Sequence, residues 1–161
     1  MSEYDKKMIE AFIQKPEKTE WYINAFSKFN VNGIDRIAWI WSWWAFGGSI
    51  FYLLYRKAYL GALVFFIAYL ASSVVPLGTI LIWILQGGFS VYFIYLKYKS
   101  LKSEIENKIA DENERIETMK QLGGYNNWAI WVGVIINILP FIILFSYFSV
   151  FFSILNPNQS F

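Results

Sequence analysis

The chain has 161 residues, of which 57% are hydrophobic, 21% aromatic and only 16% charged, whereas soluble domains carry about a quarter of charged residues. That balance excludes an ordinary soluble domain and points to a membrane protein. Fourteen basic and twelve acidic residues leave a net charge of +2, interleaved rather than gathered into a basic stripe, which argues against nucleic acid as a partner.

The absence of Cys and His removes disulfides, thiolate nucleophiles, imidazole bases and the two commonest transition-metal ligands. No enzyme and no cofactor is expected. The start, Met1 to Lys7, is mixed in charge and is not followed by a short apolar run with a small-residue cleavage site, so no secretory signal is expected and insertion would rely on internal spans.

Residues 1–36 read as amphipathic helices on the cytoplasmic side. Ser2 with Asp5 three residues later resembles an N-cap with an acidic first turn, and Met8, Ile9, Phe12 and Ile13 then share one face up to a stop before Pro16. A second helix is expected from near Thr19, with Trp21, Tyr22, Ala25, Phe26 and Phe29 on one face and a stop between Asn30 and Gly33. These helices would lie on the bilayer or on the rest of the protein, or form an aromatic groove for a partner.

Residues 37–96 form the expected membrane domain. Its first part, 37–55, is uncharged, carries Trp39, Trp41, Trp43 and Trp44 in its first half and contains Gly47-Gly48. Trp favours the headgroup interface. A full crossing would put Lys6, Lys7, Lys15, Lys18, Lys28 and Arg36 outside, so a re-entrant element broken at Gly47-Gly48 is favoured over a span.

From Ala58 to Leu96 there are thirty-nine residues without a charge, divided by Pro76-Leu77-Gly78. The halves, 58–75 and 77–96, are each close to the ~30 Å hydrocarbon thickness at ~1.5 Å per residue, which predicts a transmembrane hairpin. Arg56 and Lys57 stand at one open end and Lys97, Lys99 and Lys102 at the other, marking the cytoplasmic side. Arg56 and Lys57 are placed to snorkel to lipid phosphates, with Tyr52, Tyr55 and Tyr59 at headgroup depth. Gly61, Ala68 and Ser72 share a face for close packing, answered by Gln86, Gly87, Gly88 and Ser90. Gln86 should point into the bundle, as packing or as pore lining.

Residues 97–127 are charged and cytoplasmic. Asp111 with Glu114 resembles a capping box, so a break near Ala110 makes a helical hairpin in which Leu101, Ile105 and Ile109 face Ile116 and Met119. Gly123-Gly124 ends the second arm. No charge follows Lys120, and the apolar run 128–155, divided by Pro140 shortly after Asn137, reads as a kinked span or two half-helices, the former favoured. Asn137 joins Gly47, Gly48, Gln86, Gly87 and Gly88 as a packing or pore-lining candidate. The tail, 156–161, is turn-forming.

The stretch Trp43-Trp44-Ala45-Phe46-Gly47-Gly48, followed by Phe51-Tyr52-Leu53-Leu54-Tyr55-Arg56-Lys57-Ala58-Tyr59, resembles a family of bacterial inner-membrane proteins filed as domain of unknown function 2628. The resemblance continues in Gly87-Gly88, Tyr95, Lys97, Lys99, Lys102 and Gly123-Gly124, and covers roughly Trp21 to Gly124. It implies an inner-membrane location and a helical hairpin, with no catalytic residue or cofactor. Together the readings give an all-α, small polytopic, multi-pass protein of the bacterial inner membrane with a cytoplasmic N-terminus. It would contact membrane lipids and act as a scaffold or accessory subunit for a protein partner or a second copy. The alternative is an oligomeric channel or small-solute transporter built around Gly47, Gly48, Ser49 and Gln86.

Overall fold

The computed structural model describes residues 2–31 and 33–155, without the side chains of Asn137, Pro140, Phe141, Leu144 and 149–155; Asn32 and the tail 156–161 lie outside the described residues. The chain is mostly helical, with α1 Glu3–Ile13, α2 Pro16–Phe29, α3 Trp43–Tyr55, α4 Tyr59–Ser72, α5 Gly78–Lys108, α6 Glu112–Leu122 and α7 Asn127–Leu155. A two-residue antiparallel ladder, β1 Asn30–Val31 with β2 Ile34–Asp35, stands between α2 and α3. It modifies the all-α expectation: Gly33 at φ +82 turns the chain, and Asn30 Oδ1 accepts from the Gly33 amide at 3.1 Å.

Helix α1 opens on a capping box. Ser2 Oγ accepts from Asp5 N at 3.0 Å while Asp5 accepts from Ser2 N at 3.1 Å. Helix α2 starts three residues earlier than Thr19, because Pro16 at the first helical position gives up an N–H that would be unpaired anyway. Asp111 Oδ1 accepts from Glu114 N at 2.9 Å and starts α6, after α5 has stopped at Lys108.

Helix α5 is the axis of the molecule. Its 31 residues run about 46 Å and join the expected second hairpin arm to the first charged arm without a break, since a change from apolar to charged side chains does not interrupt backbone hydrogen bonding. Helices α1, α2 and α6 gather on its C-terminal part, and α3 and α4 pack along it, with α7 against α3. The head is a closed apolar core: Met8, Phe12, Phe26, Phe29, Ile105 and Met119 are at most 2% exposed. Most of the aromatic face of α2 is therefore spent inside the protein, with Phe26 on Tyr98 and Phe29 on Tyr95 at 5.3 Å, while Trp21 is exposed.

The other end of the molecule is apolar outside as well. Leu60, Phe66, Ile67 and Leu70 on α4 are exposed, as are Ile80, Leu81 and Ile84 on α5 and Trp131, Ile135 and Phe145 on α7. Among the described residues one helix, α5, is long and apolar enough to cross a membrane. The first hairpin arm is shorter than expected: α4 has 14 residues, about 21 Å, because Ala58 and the turn residues 73–75 take up the rest of 58–75. Helix α7 is a single helix from Asn127 to Leu155 rather than two half-helices.

Residues 37–55 do not form a nineteen-residue helix. Residues 36–42 are extended and lie along α5, where Ile40 N donates to Gly88 O at 3.1 Å and Ser42 N to Gly87 O at 2.9 Å. Ser42 then caps α3 through Ala45 N at 3.2 Å. The two glycines admit this strip: a Cβ on Gly88 would meet the Trp39 ring at 2.5 Å, and one on Gly87 the Trp41 ring at 2.7 Å. Replacing Gly88 by Ala is expected to push Trp39 and its strip off α5 and to destabilise the protein by about 1–3 kcal/mol, read as a lower unfolding midpoint in mild detergent together with a red-shifted Trp emission.

Candidate functional site

Two polar sites stand out against the apolar framework. The first is where the C-terminal ends of α1, α3 and α6 converge and leave carbonyl groups without helical partners. Helix α3 ends in a Schellman turn, with Ala58 N on Leu53 O at 2.8 Å, Lys57 N on Leu54 O at 3.0 Å and Lys57 itself at φ +55. This turn aims two adjacent cations in different directions. Arg56 Nη1 donates to Ile13 O at 3.0 Å at the end of α1, and Lys57 Nζ donates to Gly123 O at 2.6 Å beyond α6. Lys97 Nζ reaches Arg56 O at 3.4 Å.

Aromatic faces complete the setting. The Arg56 guanidinium lies 4.9 Å from the Tyr22 ring centre and 5.4 Å from that of Tyr55, and Lys97 Nζ lies 5.3 Å from the Phe12 ring. Among the described residues none of the three cations forms an ion pair with a carboxylate. Their charge is offset by the negative ends of helices instead. Burial, and then the Lys57 and Arg56 charges, bring the Lys97 ammonium down to about 8.

For Arg56 the lipid-headgroup reading is corrected, since its side chain is spent inside the protein. Arg56 is only 5% exposed, and Lys57 and Lys97 are part-buried and directed at backbone carbonyls. The reason lies in elements far away in sequence, the ends of α1 and α6, which offer backbone carbonyl acceptors within the protein. Tyr55 is half-buried against Tyr125 at 5.0 Å. Tyr59 is exposed, with its hydroxyl accepting from Asn126 Nδ2 at 2.9 Å, and Lys99 is exposed and paired with Asp35. That Lys99 contact, followed by the Tyr95 hydroxyl at 2.7 Å, holds the Asp35 carboxyl down at about 2 and pins the β1–β2 turn to α5.

The second site is the break in α3. It falls at Ser49 (φ 48, ψ −141), not in Gly47-Gly48, whose backbones stay helical. Gly47 faces open space and is not a packing contact, while Gly48 approaches Tyr52. Gln86 is fully buried opposite the break, and its Oε1 accepts from the Tyr69 hydroxyl at 2.8 Å and from Ser49 Oγ at 3.4 Å. Phe46 O, four residues before Ile50, takes a hydrogen bond from Trp83 Nε1 at 2.6 Å, and the two rings stack 4.3 Å apart. The side chain of Asn137 lies outside the described residues.

Trp39, Trp41, Tyr69 and Trp83 were not singled out as site residues by the sequence, whereas Ser49 was, as a possible pore residue. The paired glycines at 87–88, which imply bulky neighbours, were the one signal that could have found Trp39 and Trp41. That the break falls at Ser49 carries no signal, because serine rarely adopts this backbone. No cluster of three or more His, Cys, Asp or Glu able to hold a metal occurs among the described residues. No family model matches the chain, and neither does a curated protein or a solved structure.

Two outcomes follow for the junction. Arg56→Met leaves Ile13 O without its charged donor and Arg56→Lys lacks the planar fork, so both should lower stability by about 1.5–3 kcal/mol, with faster proteolysis at residues 1–15. For Lys97 the folded value lies below the ordinary 10.5, so the folded state binds fewer protons than the unfolded state between about pH 8 and 10.5. Stability should rise with pH across that window in the parent protein and stay flatter in Lys97→Met, as measured by denaturant unfolding at stepped pH.

Proposed function

We propose that the chain is a multi-pass protein of the bacterial inner membrane that acts as a scaffold or accessory subunit without a catalytic role. The observation that carries this reading is the segregation of exposed apolar surface. Large hydrophobic side chains are exposed along α4, the first half of α5 and α7, whereas the head formed by α1, α2, α6 and the second half of α5 buries most of its own, with Trp21 and Leu122 exposed. A water-soluble monomer rarely leaves so long an apolar surface bare. The resemblance of the Trp43 to Tyr59 stretch to an inner-membrane family points the same way.

The head then lies on the cytoplasmic side, with Arg56, Lys57 and Lys97 at its junction with the spans and Tyr59 and Trp128 exposed nearby. The apolar faces of α1 and α2 are largely occupied, so the surface left for a protein partner is the polar face of α6, with Glu112, Glu114 and Glu117 exposed. Carboxylates on the head pair with lysines, as Glu104 does with Lys108 and Asp5 with Lys102, in the manner of a solvated surface rather than a catalytic centre. A second reading, an oligomeric channel or small-solute transporter, is favoured by one observation, the polar break in α3 within the apolar half.

The chain has no Cys, which makes single-cysteine labelling direct. In inside-out vesicles a membrane-impermeant maleimide should modify Glu112→Cys rapidly and Ser73→Cys hardly at all; right-side-out vesicles should reverse the two, and Ile67→Cys should be slow in both. Release of the protein by alkaline carbonate, or Ile67→Cys labelling as fast as Glu112→Cys, would overturn the reading.

A further inference from the structure

Opposite the break in α3, α5 carries a donor that no described residue receives. Gln86 is 0% exposed, and its Nε2 has no hydrogen-bond partner among the described residues. Both neighbouring hydroxyls, Tyr69 and Ser49, address the same end of the amide. Turning the amide over would satisfy the NH2 group and strand the carbonyl instead, so these neighbours cannot satisfy both ends. Trp41 Nε1 is a second buried donor without a partner among the described residues, on a ring seated over the adjacent Gly87. An unmet buried amide costs about 1–3 kcal/mol, and Ser49 adds backbone strain at φ 48.

The depth of the site limits what can meet these donors. Gln86 lies eight residues from the start of α5 and eleven before Lys97, about 12 Å and 17 Å along the helix, so it sits near the middle of the uncharged stretch. No charged side chain occurs in 37–55 or 58–96. A charged ligand would find no compensating charge there, whereas a neutral oxygen acceptor loses little solvation and gains the waiting N–H. Broken helices placed midway along a span are also where non-helical backbone is tolerated, in contact with protein or with water.

We infer that the break in α3 is a binding site for a small neutral oxygen acceptor, a water molecule or a hydroxyl- or carbonyl-bearing solute, held by Gln86 Nε2 beside Ser49 and Tyr69. Water and solute share this chemistry and differ in exchange and mass. The bound oxygen accepts from Gln86, and where it belongs to water or a hydroxyl its O–H can return a hydrogen bond to a lone pair of the Ser49 or Tyr69 hydroxyl. Ser49 thereby holds both the backbone break and one wall of the site.

The test uses the full chain in nanodiscs with 15N-glutamine labelling, the Gln86 amide signal being assigned by its loss in Gln86→Met. A cross-peak from the Gln86 amide protons to long-lived water supports the water form. A small-molecule adduct in native mass spectrometry, reduced at least tenfold in Gln86→Met, supports the solute form. Ser49→Gly accepts the positive φ without strain, so it should keep the fold and the Gln86 signal while weakening the cross-peak or the adduct. A Gln86 amide in contact with neither water nor solute, with Gln86→Met unfolding at or above the parent midpoint, would overturn the inference.

Discussion

Everything in this chain hangs on α5 remaining one helix while its surroundings change. Its first half is lined by α3, α4 and the extended strip, its second by α1, α2 and α6, and the backbone hydrogen bonds run through both. The change is accommodated by side-chain size. Gly87 and Gly88 remove two Cβ atoms at the level where the strip crosses, so that indole rings come within van der Waals reach of the helix backbone and the strip can place two N–H groups on helix carbonyls. Larger residues at 87 and 88 would leave those N–H groups unpaired beside an apolar surface, a cost of the same order as a lost hydrogen bond each.

The head depends on a related economy. Three helices end at one place, and each end carries carbonyls and a partial negative charge. The Schellman turn after α3 uses Lys57 in a conformation that glycine usually occupies. That choice costs some backbone strain, and it sets Arg56 and Lys57 back to back so that α1 and α6 are both capped from a single turn. Lys97, brought in by α5, ties the same turn to the axis. A carboxylate at this junction would compete with the helix ends for the cations, and the absence of such an ion pair among the described residues is consistent with that division.

How much of this was legible depended on how local each cause is. The capping box of α1 and the start of α6 were written in Ser2, Asp5, Asp111 and Glu114, because caps act over three residues. The inward aim of Gln86 was legible too, since a buried amide in an apolar stretch must turn to protein. The fate of Arg56 was not. Its acceptor, Ile13 O, is forty-three residues away, and hydropathy alone assigned it to a headgroup layer. The extended strip escaped for the same reason: the Trp-rich composition of residues 37–44 suits an interfacial helix equally well, and only the contact with Gly87 and Gly88 decides for extension. The short α4 was hidden because hydropathy counts apolar residues whether they are helical or in a turn.

The polar groups along α5 follow a gradient that connects the two sites. At Lys97 backbone carbonyls are met by ammonium and guanidinium groups; nine to ten residues earlier, at Gly88 and Gly87, helix carbonyls receive neutral backbone N–H groups; at Gln86 the donors to the amide are hydroxyls. Charge disappears as the helix leaves the head, as it must where desolvation of an ion costs more than one helix end can return. The supply of partners thins along the same path. Neutral groups in a tightly packed place have fixed numbers of donors and acceptors, so a mismatch cannot be absorbed by a mobile charged side chain from the surface. An unmatched amide is therefore costliest at the end of this gradient, and Gln86, opposite the one strained residue of α3, is where it occurs.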